Sequence, residues 1–279
     1  MKKKINISRQ IKSKDSLKFL TKSSELYREN IRTKIIAITG SCGKTTLKEL
    51  LGNSLKQLSS VGISPKSYNN KYGVPLSLFN LDQKNNYGVL EIGMDKKGEI
   101  DYLSKIVKPD VSVITNINYA HAKNFKNIKQ IALAKSEIIN NTKINGFIVL
   151  NADDNFYTLH KKIANKRKLK ILSFGIDNQN ANIKLISIKK IANKFKATIR
   201  VNNLKTYFFI SNNFQNNILN ILAALSVMSI FLDISKLKKN IFIGFKIPNG
   251  RGDIAKIKID NKKLNLIDES YNSNPLSLK

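Results

Sequence analysis

The stretch Lys34–Thr46, KIIAITGSCGKTT, decides how the rest of the chain is interpreted. It opens with an apolar run that predicts a buried strand, after which Gly40 and Gly43 allow a tight turn that can approach a ligand closely. Lys44 can reach the terminal phosphates of a nucleotide, and the hydroxyl of Thr45 can bind Mg²⁺. The helix predicted from Thr45 would point its N-terminal amides at the same anion. The stretch therefore predicts a loop that binds a nucleoside triphosphate.

The loop departs from the common pattern G-x-x-x-x-G-K-[ST], which would need glycine where this chain has Ile38. An ordinary strand-to-helix turn is the alternative interpretation of the shorter TGSxGKTT. The apolar strand before the loop and the leucines at helical spacing after it favour a phosphate loop. The residues expected to contact the nucleotide here are Gly40, Ser41, Cys42, Gly43, Lys44, Thr45 and Thr46.

Composition limits the partners of the chain. Its 279 residues can bury one large core or two, and its net charge of +30 would by itself suggest nucleic acid or an anionic surface. The basic residues are nevertheless spread along the chain, with a dense run at 161–170, and they are not interleaved with aromatic residues that could stack on bases. We therefore expect no specific nucleic-acid partner, with a basic nucleic-acid binder as the alternative class.

Cysteine usage and hydrophobicity indicate the compartment. The single cysteine, Cys42, excludes an intrachain disulfide and fits a reducing cytoplasm. No apolar segment of a signal peptide follows the basic N-terminus. The longest apolar stretch, Ile218–Leu232, is too short to span a bilayer and predicts a buried helix. We expect a cytoplasmic monomer without a membrane span.

Hydrophobic periodicity predicts an α/β fold. From Lys34 to about position 175, short apolar runs alternate with helical patterns, which predicts a doubly wound, mostly parallel sheet carrying the phosphate loop (P-loop). Alternation over 181–210 predicts a small antiparallel segment of two or three strands, and Asp253–Ile267 is strand-like. Strands are predicted at Ile35–Ile38, Tyr87–Ile92, Val111–Thr115 and Phe147–Leu150, and helices at Thr45–Leu58, Gly98–Ile106, Ile128–Asn140, Asn155–Ala164 and Asn216–Leu232.

Four further clusters accompany TGSxGKTT, and their order and spacing resemble the Mur ligase family of ATP-dependent amide-bond-forming enzymes. NNxxGVPLSL, ExGMxxxGEI and YNxNP most resemble the branch that adds D-alanyl-D-alanine to a UDP-N-acetylmuramoyl-tripeptide. The resemblance covers roughly residues 15–279. The clusters are Ser67–Leu81; Leu90–Ile100; Val113–Phe125 continuing to Ile131–Ile138; and Asn212–Leu225 with Asn249–Asp253 and Ile267–Pro275.

The resemblance implies a chemistry and roles for particular residues. A substrate carboxylate attacks the γ-phosphate of ATP to give an acyl phosphate, and an amine then forms the amide. Lys44 would clamp the phosphates, while Thr45 and Glu91 would hold a Mg²⁺ between the β- and γ-phosphates. By the same resemblance, His121 would help to hold a second metal ion. Lys135 would be carbamylated by CO₂ and so become an anionic metal support, which requires a lowered pKa.

The resemblance implies further ligand contacts. Asn216 and Asn220 would lie near the adenine, and the UDP-muramyl peptide and D-alanyl-D-alanine would be the two substrates. The family usually has Asp where Glu269 stands and His where Gln215 stands. From the residues alone, Glu91 could be a surface carboxylate and His121 a loop histidine. The other contacts are Arg251 with phosphate, Glu269 with ribose, and Asn69, Asn70, Tyr271 and Asn272 with substrate.

Chain length sets the expected domain organisation. Family members carry a UDP-binding domain before the ATPase domain and another domain after it, whereas here only about 33 residues precede the first strand. We expect a linker helix in 1–33, the ATP-binding domain at 34–252 and the start of a ligase domain at 253–279. Such a chain should bind Mg-ATP weakly and ligate poorly. The alternatives are another ligase of the superfamily, such as one acting on folate, and a non-catalytic nucleotide-binding module.

Overall fold

A nine-stranded sheet dominates the structure, a computed structural model that describes residues 13–119, 124–211, 217–259, 262–268 and 270–271. Its strands are β1 (Lys34–Thr39), β2 (Val61–Ile63), β3 (Tyr87–Glu91), β4 (Val111–Ile114), β5 (Phe147–Asn151), β6 (Lys170–Gly175), β7 (Ile183–Ile191), β8 (Lys194–Val201) and β9 (Leu204–Ser211). Their order across the sheet is β2-β3-β1-β4-β5-β6-β7-β8-β9. The pairs from β2 to β7 are parallel, and β7 to β9 are antiparallel. The predicted α/β fold with a mostly parallel sheet is confirmed.

Helices cover both faces of the sheet because its central strands are apolar on both sides. In β1, Ile36 and Ile38 belong to one hydrophobic cluster, with the leucines of α2 and the helix α7, whereas Ile35 and Ala37 belong to the other, with α3 to α6. The helices are α1 (Ser16–Asn30), α2 (Lys44–Lys56), α3 (Gly73–Phe79), α4 (Glu99–Val107), α5 (Ile128–Asn141), α6 (Tyr157–Lys166) and α7 (Ile218–Phe231).

The strand order places a ligand site at one end of β1. After β1 the chain runs through α2 to the edge strand β2, returns through β3, and then crosses to β4 on the other side of β1. Ligands of open α/β sheets bind beyond the carboxyl ends of the strands at such a reversal. The loop that follows β1 is the predicted phosphate loop.

The antiparallel segment extends the main sheet and is not a separate one. Its first strand, β7, pairs with β6 through only two residue pairs, Phe174 with Ile183 and Gly175 with Lys184. A second, two-stranded sheet is formed by β10 (Asp253–Ile259) and β11 (Lys262–Asp268). The single strand-like segment predicted at Asp253–Ile267 is therefore a hairpin.

Helix α1 packs on the layer of helices that covers one face of the sheet, where it contacts α3 and α4. Asp15 caps its N-terminus by accepting from the amide of Lys18 at 2.9 Å. Arg28 is 4 % exposed and donates to the carbonyl of Val107 at 2.6 Å and to Asp110 at 3.1 Å. The predicted domain boundaries at 33 and 252 stay predictions, although α1 packs directly on α3 and α4.

The predicted strands and helices lie within about two residues of the observed ones, and the sequence missed the short elements β2, α3 and β6. The described part of the predicted helix Asn216–Leu232 is α7, whose residues are mostly buried. Within the described ranges, no helix is long and apolar enough to cross a membrane.

Candidate active site

The loop between β1 and α2 has room for glycine alone at its first turn. Gly40 has φ +145°, and a Cβ on it would lie 1.8 Å from Oγ1 of Thr115. Gly43 has φ +79° at the N-cap of α2, and a Cβ there would lie 2.9 Å from Oδ1 of Asn220. Both positions therefore need the backbone freedom and the small size of glycine. Asn220, predicted to lie near the adenine, is thus placed beside the loop.

The residues that follow β4 hold the loop in shape. The amide of Ser41 donates to the carbonyl of Asn116 at 2.9 Å, and its hydroxyl donates to the carbonyl of Asn118 at 2.9 Å. Thr115 Oγ1 donates to the carbonyl of Cys42 at 2.6 Å, and the amide of Cys42 donates to Oδ1 of Asn116 at 3.0 Å. Sequence reasoning missed Thr115 and Asn116, although their place directly after the neighbouring strand was a usable signal.

The N-terminus of α2 faces the loop without a side-chain cap from any described residue. The first amides of a helix have no partner inside the helix and carry a partial positive charge. Thr45 and Thr46, both buried, lie in this first turn. The helix end is therefore suited to bind an anion.

Two lysines converge on one carbonyl of the loop. Nζ of Lys44 and Nζ of Lys135 each lie 2.9 Å from the carbonyl oxygen of Gly40. Lys135 projects from α5 and is 2 % exposed. Burial lowers its pKa well below the ordinary value, and the charge of Lys44 lowers it further. Burial also lowers the pKa of Lys44, against the attraction of Glu91. The environment thus favours a neutral amine at Lys135.

Glu91, at the carboxyl end of β3, is the buried carboxylate of the site. It is 1 % exposed, accepts from Oγ1 of Thr45 at 2.6 Å through Oε2, and accepts from Nδ2 of Asn69 at 2.8 Å through Oε1. A carboxylate and a hydroxyl at this distance are hard oxygen ligands of the kind that Mg²⁺ prefers. Among the described residues, no group of three or more His, Cys, Asp or Glu could hold a metal. The donors therefore fit a Mg²⁺ that takes its other ligands from phosphate and water.

The segment between β2 and α3 supplies Asn69 and Asn70. The carbonyl of Asn69 accepts from the amide of Gly93 at 2.8 Å, which ties the segment to the end of β3. Oδ1 of Asn70 accepts from the amides of Tyr72 at 3.1 Å and Gly73 at 2.9 Å, so this side chain helps to start α3. The predicted substrate contacts of both asparagines stay predictions.

A cavity of about 870 Å³ opens from the loop and collects many of the predicted residues. Arg251 donates to Oγ of Ser67 at 3.1 Å, and its guanidinium lies 4.0 Å from the ring centroid of Tyr271. The predicted residues among those that line the cavity are Lys44, Asn69, Asn70, Glu91, Lys135, Arg251 and Tyr271.

Some predicted residues lie outside the described residues, namely His121, Gln215, Asn216, Glu269 and Asn272. The other histidine, His160, is buried between helices, and its Nε2 lies 3.1 Å from the carbonyl of Ala132. Burial lowers its pKa, and it lines no part of the cavity.

Comparison with known proteins gives a consistent result. The model of the Mur ligase middle domain matches residues 38–228. The UDP-N-acetylmuramoyl-tripeptide--D-alanyl-D-alanine ligase of Buchnera aphidicola subsp. Acyrthosiphon pisum is 37% identical over 265 residues, covering 90% of this chain and 54% of that protein. A MurF crystal structure from Acinetobacter baumannii has a TM-score of 0.85 at 28% identity, covering 97% of this chain and 60% of that one. MurF from Thermotoga maritima in complex with ADP has a TM-score of 0.84 at 29% identity, covering 99% and 62%. The chain thus spans between half and two thirds of the length of these relatives.

Proposed function

The chain belongs to the Mur ligase family, and we propose that it is an ATP-dependent ligase that joins D-alanyl-D-alanine to a UDP-N-acetylmuramoyl-tripeptide, a step of peptidoglycan precursor synthesis. The observation that carries the proposal is the convergence of Lys44, Lys135, Thr45 and Glu91 at the N-terminus of α2. Relatives named for this reaction, and one solved with ADP, support the choice of substrates and nucleotide.

The residues of the loop would bind and orient ATP. The uncapped amides of α2 and the ammonium of Lys44 supply positive charge where the γ-phosphate gains charge during transfer. Nζ of Lys44 contacts the loop carbonyls of Gly40 and Ser41 at 2.9 and 3.3 Å, and a lysine ammonium has three donors, so it could bind a phosphate from the same position. Arg251, in the wall of the same cavity, would add a second cation to the phosphates.

Thr45 and Glu91 would hold Mg²⁺ through the oxygens that now share a hydrogen bond. The metal, when bound, neutralises phosphate charge as the substrate carboxylate approaches. Asn69 keeps the carboxylate of Glu91 oriented by donating to its other oxygen. A second metal ion, with His121 as a ligand, belongs to the same proposal.

Lys135 would act as a carbamate. Its neutral amine would attack the carbon of CO₂ and release one proton, which converts a neutral group beside the loop into an anionic carbamate. The lowered pKa supports this step because only the unprotonated amine reacts. Labelled ¹³C-bicarbonate should give a carbamate resonance that is absent from Lys135→Met.

Nucleotide binding tests the proposal first. Titration calorimetry with Mg-ATP should give binding that Lys44→Ala weakens at least about tenfold, because the phosphate clamp is lost. The matched control is Lys56→Ala, which removes the same charge from the exposed end of the same helix. Equal binding by both variants and the parent chain would show that this loop does not hold the nucleotide.

Substrate identity is tested by phosphate release from ATP. Release should require both the UDP-N-acetylmuramoyl-tripeptide and D-alanyl-D-alanine. Release with folate and glutamate instead would assign the chain to a different ligase of the superfamily. Binding of Mg-ATP together with release that ignores every acceptor pair would favour the nucleotide-binding module.

A further inference from the structure

We infer that Lys48 is a positioning residue for the Glu91 metal site, acting by anchoring the segment 64–70 that supplies Asn69. The metal role of this site rests on the proposed function, whereas the anchoring of the segment does not. The ammonium of Lys48 contacts carbonyls outside the nucleotide loop, and Lys48 is not among the residues that line the cavity. Its contribution would pass through the backbone that it holds.

Lys48 is a fully buried lysine whose charged end is occupied by backbone. Its side chain is 0 % exposed, and Nζ donates to the carbonyl of Ser64 at 2.7 Å and to the carbonyl of Lys66. Oε1 of Glu49 lies 3.1 Å from the same nitrogen and is itself partly exposed. Two of the three donors of the ammonium thus have a carbonyl acceptor, and the Glu49 carboxylate lies close enough to balance the buried charge.

Close packing of α2 on β2 brings Lys48 to these carbonyls. Gly52 lies one turn after Lys48, and a Cβ on Gly52 would lie 2.2 Å from Cδ1 of Ile63. Only glycine therefore lets the helix approach the last residue of β2 this closely. Ser64 and Lys66 follow the end of β2 directly. Their carbonyls are therefore within reach of Lys48, which lies one helical turn before Gly52.

The anchored segment leads to Glu91 by three connections. The hydroxyl of Ser64 accepts from the amide of Glu91 at 3.3 Å. Lys66 then adopts φ +44°, a left-handed conformation that a lysine keeps only where its surroundings fix it. Three residues later, Asn69 donates to Oε1 of Glu91 and accepts from the amide of Gly93. Lys48 thus fixes both the start and the turn of the segment that orients Glu91.

Helix α2 would therefore control both hydrogen-bond partners of the Glu91 carboxylate. Thr45 contacts Oε2 directly. Lys48, three residues later on the same helix face, controls the partner of Oε1 through the 64–70 segment. Loss of a residue that orients a metal ligand typically costs about 10- to 100-fold in metal affinity.

The test compares Lys48→Met with the parent chain in two measurements. The first is the Mg²⁺ concentration needed for half-maximal ATP binding, which should rise about tenfold, while ADP binding in EDTA changes less than about twofold. The second is amide hydrogen exchange without ligand, in which Gly73 and Gly93 should exchange faster because their acceptors lie on the 64–70 segment. General damage to the fold would instead weaken ADP binding in EDTA as well.

Glu49→Gln is the matched control, since it removes the charge partner and leaves both carbonyl contacts of Lys48. It should change neither measurement. Lys48→Gln keeps a neutral amide donor and should show the same pattern with smaller effects, so it replaces Lys48→Met if that variant does not fold. Unchanged exchange at Gly73 and Gly93 in these Lys48 variants would overturn the anchoring. Faster exchange with an unchanged Mg²⁺ requirement would overturn the link to the metal site. Absence of nucleotide binding by the parent chain would overturn the proposed function, while exchange would still decide whether Lys48 anchors the segment.

Discussion

Replacing Arg28 by Met removes the cation that fixes α1 to the rest of the domain. The guanidinium is almost fully buried, and it donates to the carbonyls of Val107 and Lys108 at 2.6 and 3.0 Å and to Oδ2 of Asp110 at 3.1 Å. Burial lowers the pKa of Arg28, and the charge of Asp110 opposes that shift, so this carboxylate offsets part of the cost of burying the cation. Met fills much of the same volume but donates no hydrogen bond.

The size of the effect follows from these contacts. A hydrogen bond to a charged group contributes about 1.5–3 kcal/mol, and breaking a buried ion pair costs about 3–5 kcal/mol. The lower end applies because Asp110 keeps Lys143, whose Nζ lies 2.9 Å from its other oxygen. Arg28→Met should therefore lower the free energy of unfolding by about 3 kcal/mol and the melting temperature by roughly 10 °C.

Urea denaturation, followed by circular dichroism, measures this loss. Arg32→Met is the matched control, because Arg32 is exposed and lies four residues further along the chain, just after the end of α1. It should change stability by less than about 0.5 kcal/mol. A loss for Arg28→Met that equals the loss for the control would refute the argument that this network docks α1.

Three further predictions concern the site. Glu91→Gln should raise the Mg²⁺ concentration needed for ATP binding about tenfold or more, while ADP binding in EDTA is preserved. Calorimetry with and without EDTA measures both. An unchanged Mg²⁺ requirement would show that Glu91 is not part of the metal site. Gly40→Ala should destabilise the chain by about 2 kcal/mol through overpacking against Thr115, and it should also weaken nucleotide binding. Thermal melts with and without Mg-ATP measure both effects. A variant that is fully stable and still binds nucleotide would contradict the close approach of Gly40 to Thr115. The lowered pKa of Lys135 means that the unfolded chain binds more protons between that value and 10.5, so stability should rise with pH in this window. The urea midpoint of the parent chain should therefore increase relative to that of Lys135→Met as pH rises through this range. A difference in midpoint that stays constant with pH would count against the lowered pKa of Lys135.

Strands that form a continuous apolar run could be predicted from the sequence, whereas elements without a clear apolar run or period could not. The central strands are buried on both faces, so they appear as continuous apolar runs such as KIIAIT in β1. By contrast, β2 has three residues, and α3 has seven with a proline among them, so neither shows a period. Their positions are set by packing, as in the contact of Gly52 with Ile63.

The residues of the candidate site also differ in how far the sequence alone predicts them. The phosphate loop is visible because its residues are consecutive, and Lys135 among many lysines was singled out only through the family resemblance. The partners of the loop, Thr115 and Asn116, follow a different strand, β4, so only the predicted strand order points to them, and no pattern within the loop itself does. The same holds for Asn69 on Glu91 and for Lys48, whose roles depend on contacts between segments far apart in sequence.

The two edges of the nine-stranded sheet differ in how readily they could pair with a strand of another chain. One edge, β2, offers only three residues, and the other, β9, is a long strand rich in aromatic residues whose exposed amides could recruit another chain. The amide of Phe209 is already engaged by the carbonyl of Lys239, and Lys194 and Lys196 lie over the aromatic rings of β9. Like charges on two such edges repel one another, so the lysines act as gatekeepers against intermolecular strand pairing. Because salt screens this repulsion over about 8 Å at physiological strength, aggregation during refolding should increase with ionic strength.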